Sequence, residues 1–153
     1  MTKAFTLQDF VAESNRIEGI HRVLPLEVEA HRILLAAPKM TIYELSLFVA
    51  TVAGPEYGLR EQPGMDVRVG NHYPPRGGPE VRIALQNLLD NMGSPYITPY
   101  ITHLRYETIH PFIDCNGRSG RVLWLWQMGG IQRAPLGFLH SFYYATLDNI
   151  GRG

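Results

Sequence analysis

Apolar residues recur at helical spacing through most of this chain. In residues 6–18, Leu7, Phe10, Val11 and Ile17 share a face, Thr6 stands at the N-cap position and Gly19 where a helix stops. The pattern predicts further helices over 26–37 and 41–53, the second opened by Thr41 with Glu44 three residues on, a capping-box pair. Another covers 79–92, with Pro79 suited to a first turn. The next covers 95–109 and must end near His110, because a residue before proline avoids the helical region. A further helix starts near Gly117 and runs to Gly129 and Gly130, and a last one spans 135–149.

Residues 54–79 break this period and are rich in Gly and Pro. Within them Met65, Val67 and Val69 alternate with Asp66 and Arg68, the period of a half-exposed strand. Gly70-Asn71 then reads as a turn and Tyr73-Pro74-Pro75 as extended chain. The expectation is an all-α, mainly helical domain with a small β-hairpin flap.

Composition narrows the function classes. The 153 residues suit a single domain, and 45% apolar against 18% charged residues marks a globular chain. Lys plus Arg and Asp plus Glu are 14 each, so the net charge is zero and no strongly basic nucleic-acid surface is indicated. Cys115 is the single cysteine, which excludes an intramolecular disulfide and a cysteine-built zinc site. The N-terminal stretch has no apolar signal-peptide core, and no apolar run approaches the roughly 20 residues that span a bilayer. These readings favour a cytoplasmic protein with no membrane and no nucleic-acid partner; a homo-oligomer is left open.

The chemistry concentrates in HPFIDCNGRSGR, His110 to Arg121. This joint between two helices delivers the chain to a helix N-terminus, where unpaired N–H groups and the helix dipole attract anions. Gly117 lets the backbone approach an anion closely. Arg118 and Arg121 are three apart on one helical face, and two guanidinium forks there suit neighbouring phosphates. Asp114, just upstream, is an acid placed to hold Mg²⁺ beside a phosphate chain. Asn116 can shape the loop, and His110 titrates near neutral pH as a general base must. A zinc hydrolase is disfavoured, since His103 and His110 are seven apart with no His-x-x-x-His pair. A helix-turn-helix DNA binder is disfavoured by the zero net charge and the glycine-rich joint.

HPFIDCNGRSGR resembles the signature of Fic-domain proteins, His-Pro-Phe-x-Asp/Glu-Gly-Asn-Gly-Arg-x-x-Arg, at every position but one. The glycine- and proline-rich flap upstream and the flanking helices suit the same family. The resemblance implies a single Fic domain over 1–153 that transfers AMP from ATP to a Ser, Thr or Tyr hydroxyl of a target protein. It implies that His110 deprotonates the hydroxyl and Asp114 holds Mg²⁺. Cys115, Asn116, Gly117, Arg118, Gly120 and Arg121 would bind the nucleotide, Phe112 would pack inward, and the flap residues Asp66, Val67, Arg68 and Val69 would hold the target by strand addition. Transfer of another nucleotide or phosphate-containing group by the same site, and a catalytically weak nucleotide-binding regulator, stay as alternatives. Delivery of the protein into another cell is also left open.

The departing position is Cys115, where the family has Gly. A side chain there takes room and adds strain if φ is positive. A thiol near a helix N-terminus can also have a lowered pKa; simple space-filling is the plainer reading. The branch of the family that phosphorylates its target carries Lys where this chain has Gly117, so transfer of AMP is the better expectation.

A second motif lies far away. SNRIEG, Ser14 to Gly19, is unremarkable alone, but it resembles the inhibitory Ser/Thr-x-x-x-Glu-Gly/Asn motif of one Fic subgroup. Ser14 and Glu18 are four apart and share a helix face. The resemblance makes residues 6–19 an N-terminal inhibitory helix, with Glu18 pairing with Arg121 where the γ-phosphate of ATP would sit. The aromatic residues Phe138, Phe142, Tyr143 and Tyr144 are read mainly as core.

Overall fold

The computed structural model describes residues 4–133. They form six α-helices: α1 (Leu7–Ile17), α2 (Pro25–Leu35), α3 (Ile42–Val52), α4 (Pro79–Asn91), α5 (Pro99–Ile109) and α6 (Asn116–Met128), followed by one 3₁₀ turn, Ile131–Arg133. The mainly helical class read from the periodicity is therefore correct. The last expected helix, 135–149, with Phe138, Phe142, Tyr143 and Tyr144, lies outside the described residues.

Local chemistry sets most helix boundaries. Thr6 caps α1 by accepting from the Asp9 N–H, and Asp9 returns the bond to the Thr6 N–H. Gly19 follows α1 with φ +77, the left-handed residue that ends helices. At α3 the forward bond of the expected box forms, from the Glu44 N–H to the Thr41 hydroxyl, 3.2 Å. The helix expected from residue 95 begins instead at Pro99. Thr98 is held extended (ψ 161) and accepts from the Ile101 N–H, so the pre-proline preference and the cap agree on the later start.

The hairpin needs a correction. Of the expected strand pair, one antiparallel bridge forms, between Val69 and His72 around Gly70-Asn71, with 2.8 and 3.0 Å backbone bonds. Met65, Val67 and Val69 are half-buried while Asp66 and Arg68 are exposed, so the alternation is real but no ladder accompanies it. Two short segments without a sheet beneath them gain too little for a full ladder.

The helices pack in sequence, α1 on α2, α2 on α3 and α4 on α5, while α6 lies against α5, α2, α3 and α1. Leu45, Phe48, Leu85, Tyr106, Phe112 and Leu123 belong to the main core. A smaller cluster, Phe10 with Trp124 and Leu125, docks α1 on α6. No helix among the described residues is long and apolar enough to cross a membrane.

Candidate active site

The loop between α5 and α6 is built by its own side chains. Asn116 grips Phe112 at both ends: its Oδ1 accepts from the Phe112 N–H and its Nδ2 donates to the Phe112 carbonyl, each at 2.8 Å. Phe112 is fully buried and bridges to Leu59, so it packs inward as expected. Asp114 Oδ1 accepts from the Cys115 N–H at 2.7 Å. The start of α6 has no side-chain cap, so the first-turn N–H groups of Asn116, Gly117 and Arg118 have no acceptor within the helix. Because both polar atoms of the Asn116 side chain are engaged, its contribution to an anion site is its backbone N–H.

Two residues here adopt the left-handed conformation, His110 (φ +50) and Cys115 (φ +68), the only non-glycine ones among the described residues. For residues with a Cβ this costs about 1–2 kcal/mol each. The Cys115 thiol is buried, and burial pushes it up to about 11. A lowered thiol pKa, raised as a reading of the sequence, is thus corrected: the helix terminus and Arg118 favour the thiolate, but desolvation outweighs them.

A cavity of about 210 Å³ gathers His110, Asp114, Cys115, Asn116, Gly117 and Arg118 from the loop, Glu18 from the end of α1, Val69 from the flap, and Glu107. A larger cleft of about 620 Å³ lies on the far side of Asp114 and Arg118, against Tyr57, Arg22 and Glu27. Burial lowers the His110 pKa to about 4, and the charges of Arg60 and His72 add to this. The imidazole is therefore neutral at physiological pH, the form that accepts a proton.

Both arginines of the signature face acids. Arg121 is fully buried; its Nε donates to the Ser14 hydroxyl (2.7 Å), and its Nη2 donates to the Ser14 carbonyl and to Glu18 Oε1 (each 2.9 Å). Arg118 Nη1 lies 3.8 Å from Glu27 Oε2. Gly120 is not among the residues that line the cavity. It faces α5, where a Cβ would come within 2.5 Å of Glu107 Oε1 and 3.0 Å of Tyr106 Cδ1. One turn into α6, its face meets the neighbouring helix rather than the loop. In the flap, Val69 reaches the cavity, Asp66 accepts from the Gly77 N–H (2.8 Å), and Arg68 lies over the Tyr73 ring; Val67 is half-buried beside them.

Three contributors carry no local sequence signal. Glu107 is buried on α5, and desolvation raises its pKa to about 8 against the opposing charge of Arg121. Glu27 accepts from the Leu24 N–H (2.7 Å) and from Asn15 (3.3 Å), linking α2, α1 and Arg118. Arg60, fully buried, bonds only carbonyl oxygens among the described residues.

The donor set also bears on Mg²⁺. No group of three or more His, Cys, Asp or Glu side chains clusters as a ready metal site among the described residues. Asp114 is the one carboxylate that the loop itself contributes to the cavity, and it is exposed; Glu18 and Glu107 reach the cavity from α1 and α5 and are engaged with Arg121 or buried. One carboxylate suits a cation that arrives with phosphate oxygens and keeps its waters, which is how Mg²⁺ binds beside phosphates.

The protein-family model described as the Fic/DOC family matches residues 42–128, more than half of the chain. The match runs from α3 to the end of α6 and takes in the flap and the whole loop; α1, with Ser14 and Glu18, precedes it.

Proposed function

The chain belongs to the Fic/DOC family, and from that premise we propose that it is a protein adenylyltransferase that restrains itself through Glu18. The observation that carries the reading is one cavity shared by His110, the Asp114 carboxylate and an uncapped helix N-terminus, with a flap residue at its edge.

In this mechanism the N–H groups at the start of α6 bind the phosphates of ATP, and the helix dipole adds to the attraction. Asp114 holds Mg²⁺, which when bound offsets phosphate charge. Val69 and the neighbouring flap backbone align the target chain, exposed edge against extended segment. His110 takes the proton of a target Ser, Thr or Tyr hydroxyl. The oxygen attacks the α-phosphorus, the bond from that phosphorus to the bridging oxygen breaks, and pyrophosphate leaves. Positioning and charge stabilisation supply most of the acceleration in such a displacement.

Glu18 opposes this. Its carboxylate lies at the cavity and engages Arg121, the guanidinium that a γ-phosphate would otherwise reach. ATP then binds either without that grip or in a pose unsuited to attack.

The test is incubation of Glu18→Gly protein, Mg²⁺ and a cell lysate with ATP labelled at either the α- or the γ-phosphate. Label retained from the α-position, above that in the same lysate without the protein, supports AMP transfer. A rise confined to the γ-position would make the protein a kinase and overturn the reading, as would no rise from either.

A further inference from the structure

We propose that Arg60 is a positioning residue, whose guanidinium ties the flap to the backbone of His110 and so sets the base against the chain that the flap holds. The inference rests on the roles given above to His110 and the flap, and it adds the part that registers one on the other.

Arg60 is fully buried, a costly place for a charge unless its donors are satisfied. They are satisfied by two separate pieces of chain. Nε donates to the His110 carbonyl (2.7 Å) and Nη2 to the Ile109 carbonyl (2.9 Å), while Nη1 donates to the carbonyls of Met65 (3.0 Å) and Pro75 (2.9 Å). Ile109 and His110 supply the last carbonyls of α5, which lack helical partners and sit at the negative end of its dipole. Met65 and Pro75 are the two legs of the flap. The backbone continues the tie, since Arg60 N–H donates to the Pro111 carbonyl and Gly78 N–H to the Arg60 carbonyl, both at 2.9 Å.

A stability role alone does not call for this arrangement, since an apolar side chain fills buried space without a desolvation cost. Four carbonyls on two segments call for a planar fork with donors on several edges, which Arg has and Lys lacks. His110 stands in the left-handed region, φ +50 and ψ 63, and its carbonyl meets Nε in that conformation. Releasing the bond frees His110 to relax, and an error of about 1 Å in a reacting group can lower a rate roughly 100-fold. The Arg60 charge also disfavours protonation of His110 and keeps the ring in its accepting form.

The experiment compares Arg60→Lys and Arg60→Met, each in the natural chain and in Glu18→Gly. Three results are expected. Hydrogen exchange of the Val69 and His72 amides speeds up. The His110 imidazole NMR signals move while those of His31 and His103 stay. In Glu18→Gly, kcat for transfer of labelled AMP falls about 100-fold with KM for ATP unchanged. A folded variant with His110 signals and flap exchange in place overturns the proposal, and so does a loss confined to KM. If neither variant folds, the unsubstituted chain decides: its Arg60 Nε–H should exchange slowly, and exchange as fast as that of exposed arginines overturns the proposal. A Glu18→Gly parent without AMP transfer would sink the proposed function, while the NMR and exchange measurements would still decide on Arg60.

Discussion

Glu18 and Arg121 lie 103 residues apart in the chain and meet at 2.9 Å, a half-exposed carboxylate on a fully buried guanidinium. The same guanidinium takes the Ser14 hydroxyl and carbonyl, so Arg121 is held by one face of α1. Phe10 and Val11 anchor that helix with no exposed surface, each worth about 2 kcal/mol of burial. Removing the Glu18 carboxylate should therefore free one edge of Arg121 without undocking α1. We predict weak self-labelling by the natural chain with α-labelled ATP and markedly more by Glu18→Gly. A partly buried charge pair is worth on the order of 1.5–3 kcal/mol, so the gain should be roughly tenfold to a hundredfold. The double change with His110→Ala should be silent. Equal labelling by natural chain and Glu18→Gly, with both folded, would make the contact purely structural.

Cys115 stands at φ +68 where glycine is free of strain. Cys115→Gly should raise stability by up to about 1 kcal/mol and keep or raise transfer activity. Thermal melts and label incorporation check both. The thiol, held protonated by burial up to about 11, should also resist iodoacetamide near neutral pH.

Asp114 accepts from the Cys115 N–H, and in the proposed mechanism it would also hold the cation. Asp114→Asn keeps an acceptor for the first and loses the charge for the second. In the Glu18→Gly background, calorimetry should find ATP affinity raised by Mg²⁺, and Asp114→Asn should abolish that rise. A Mg²⁺ response that survives the substitution removes Asp114 from the cation site.

His31 and His103 are buried, and desolvation is the largest cause holding each at about 4, below the ordinary 6.5. The unfolded chain then binds more protons than the folded one between those values. Stability should fall as pH drops from about 6.5 to about 4, by up to about 1.4 kcal/mol per pH unit for each histidine. Denaturant midpoints across that range test it, and His103→Gln should flatten the slope.

Glu107 shifts the other way, raised by burial from 4.5 to about 8. Here the folded state binds the extra proton, so this group's contribution declines as pH rises from about 4.5 to about 8 and is level above. Glu107→Gln removes the decline. Its melting temperature relative to the natural chain should climb with pH over that interval; a constant offset would show that the carboxyl ionises normally in the fold.

Much of this was legible in the residues alone. Apolar period, caps and glycine stops located the helices to within a few residues, because those signals act through neighbours in sequence. The Pro99 start was missed because two prolines four apart both allow a first turn, and the Thr98 cap chooses between them. The signature loop was legible for the same reason: Asn116 holds Phe112 four residues away, and Asp114 holds its own neighbour.

Tertiary structure decided the rest, wherever partners are distant and the residue type is common. Nothing local marks Arg60 as buried, since its value lies in carbonyls of Met65, Pro75, Ile109 and His110 that only the fold assembles. Burial above all, with the Glu18 charge adding to it, turns Glu107 from an ordinary acid into one that holds its proton near neutral pH. Gly120 falls on a variable position of the signature, and packing against Tyr106 and Glu107 is what calls for a glycine there. For Glu18 the sequence supplied a carboxylate on the right face of a helix, and the docking of α1 through Phe10 brought it to Arg121. Short-range hydrogen bonds and periodicity are written in order along the chain; desolvation and long-range pairing depend on what surrounds a residue, and so appear only once the chain has folded.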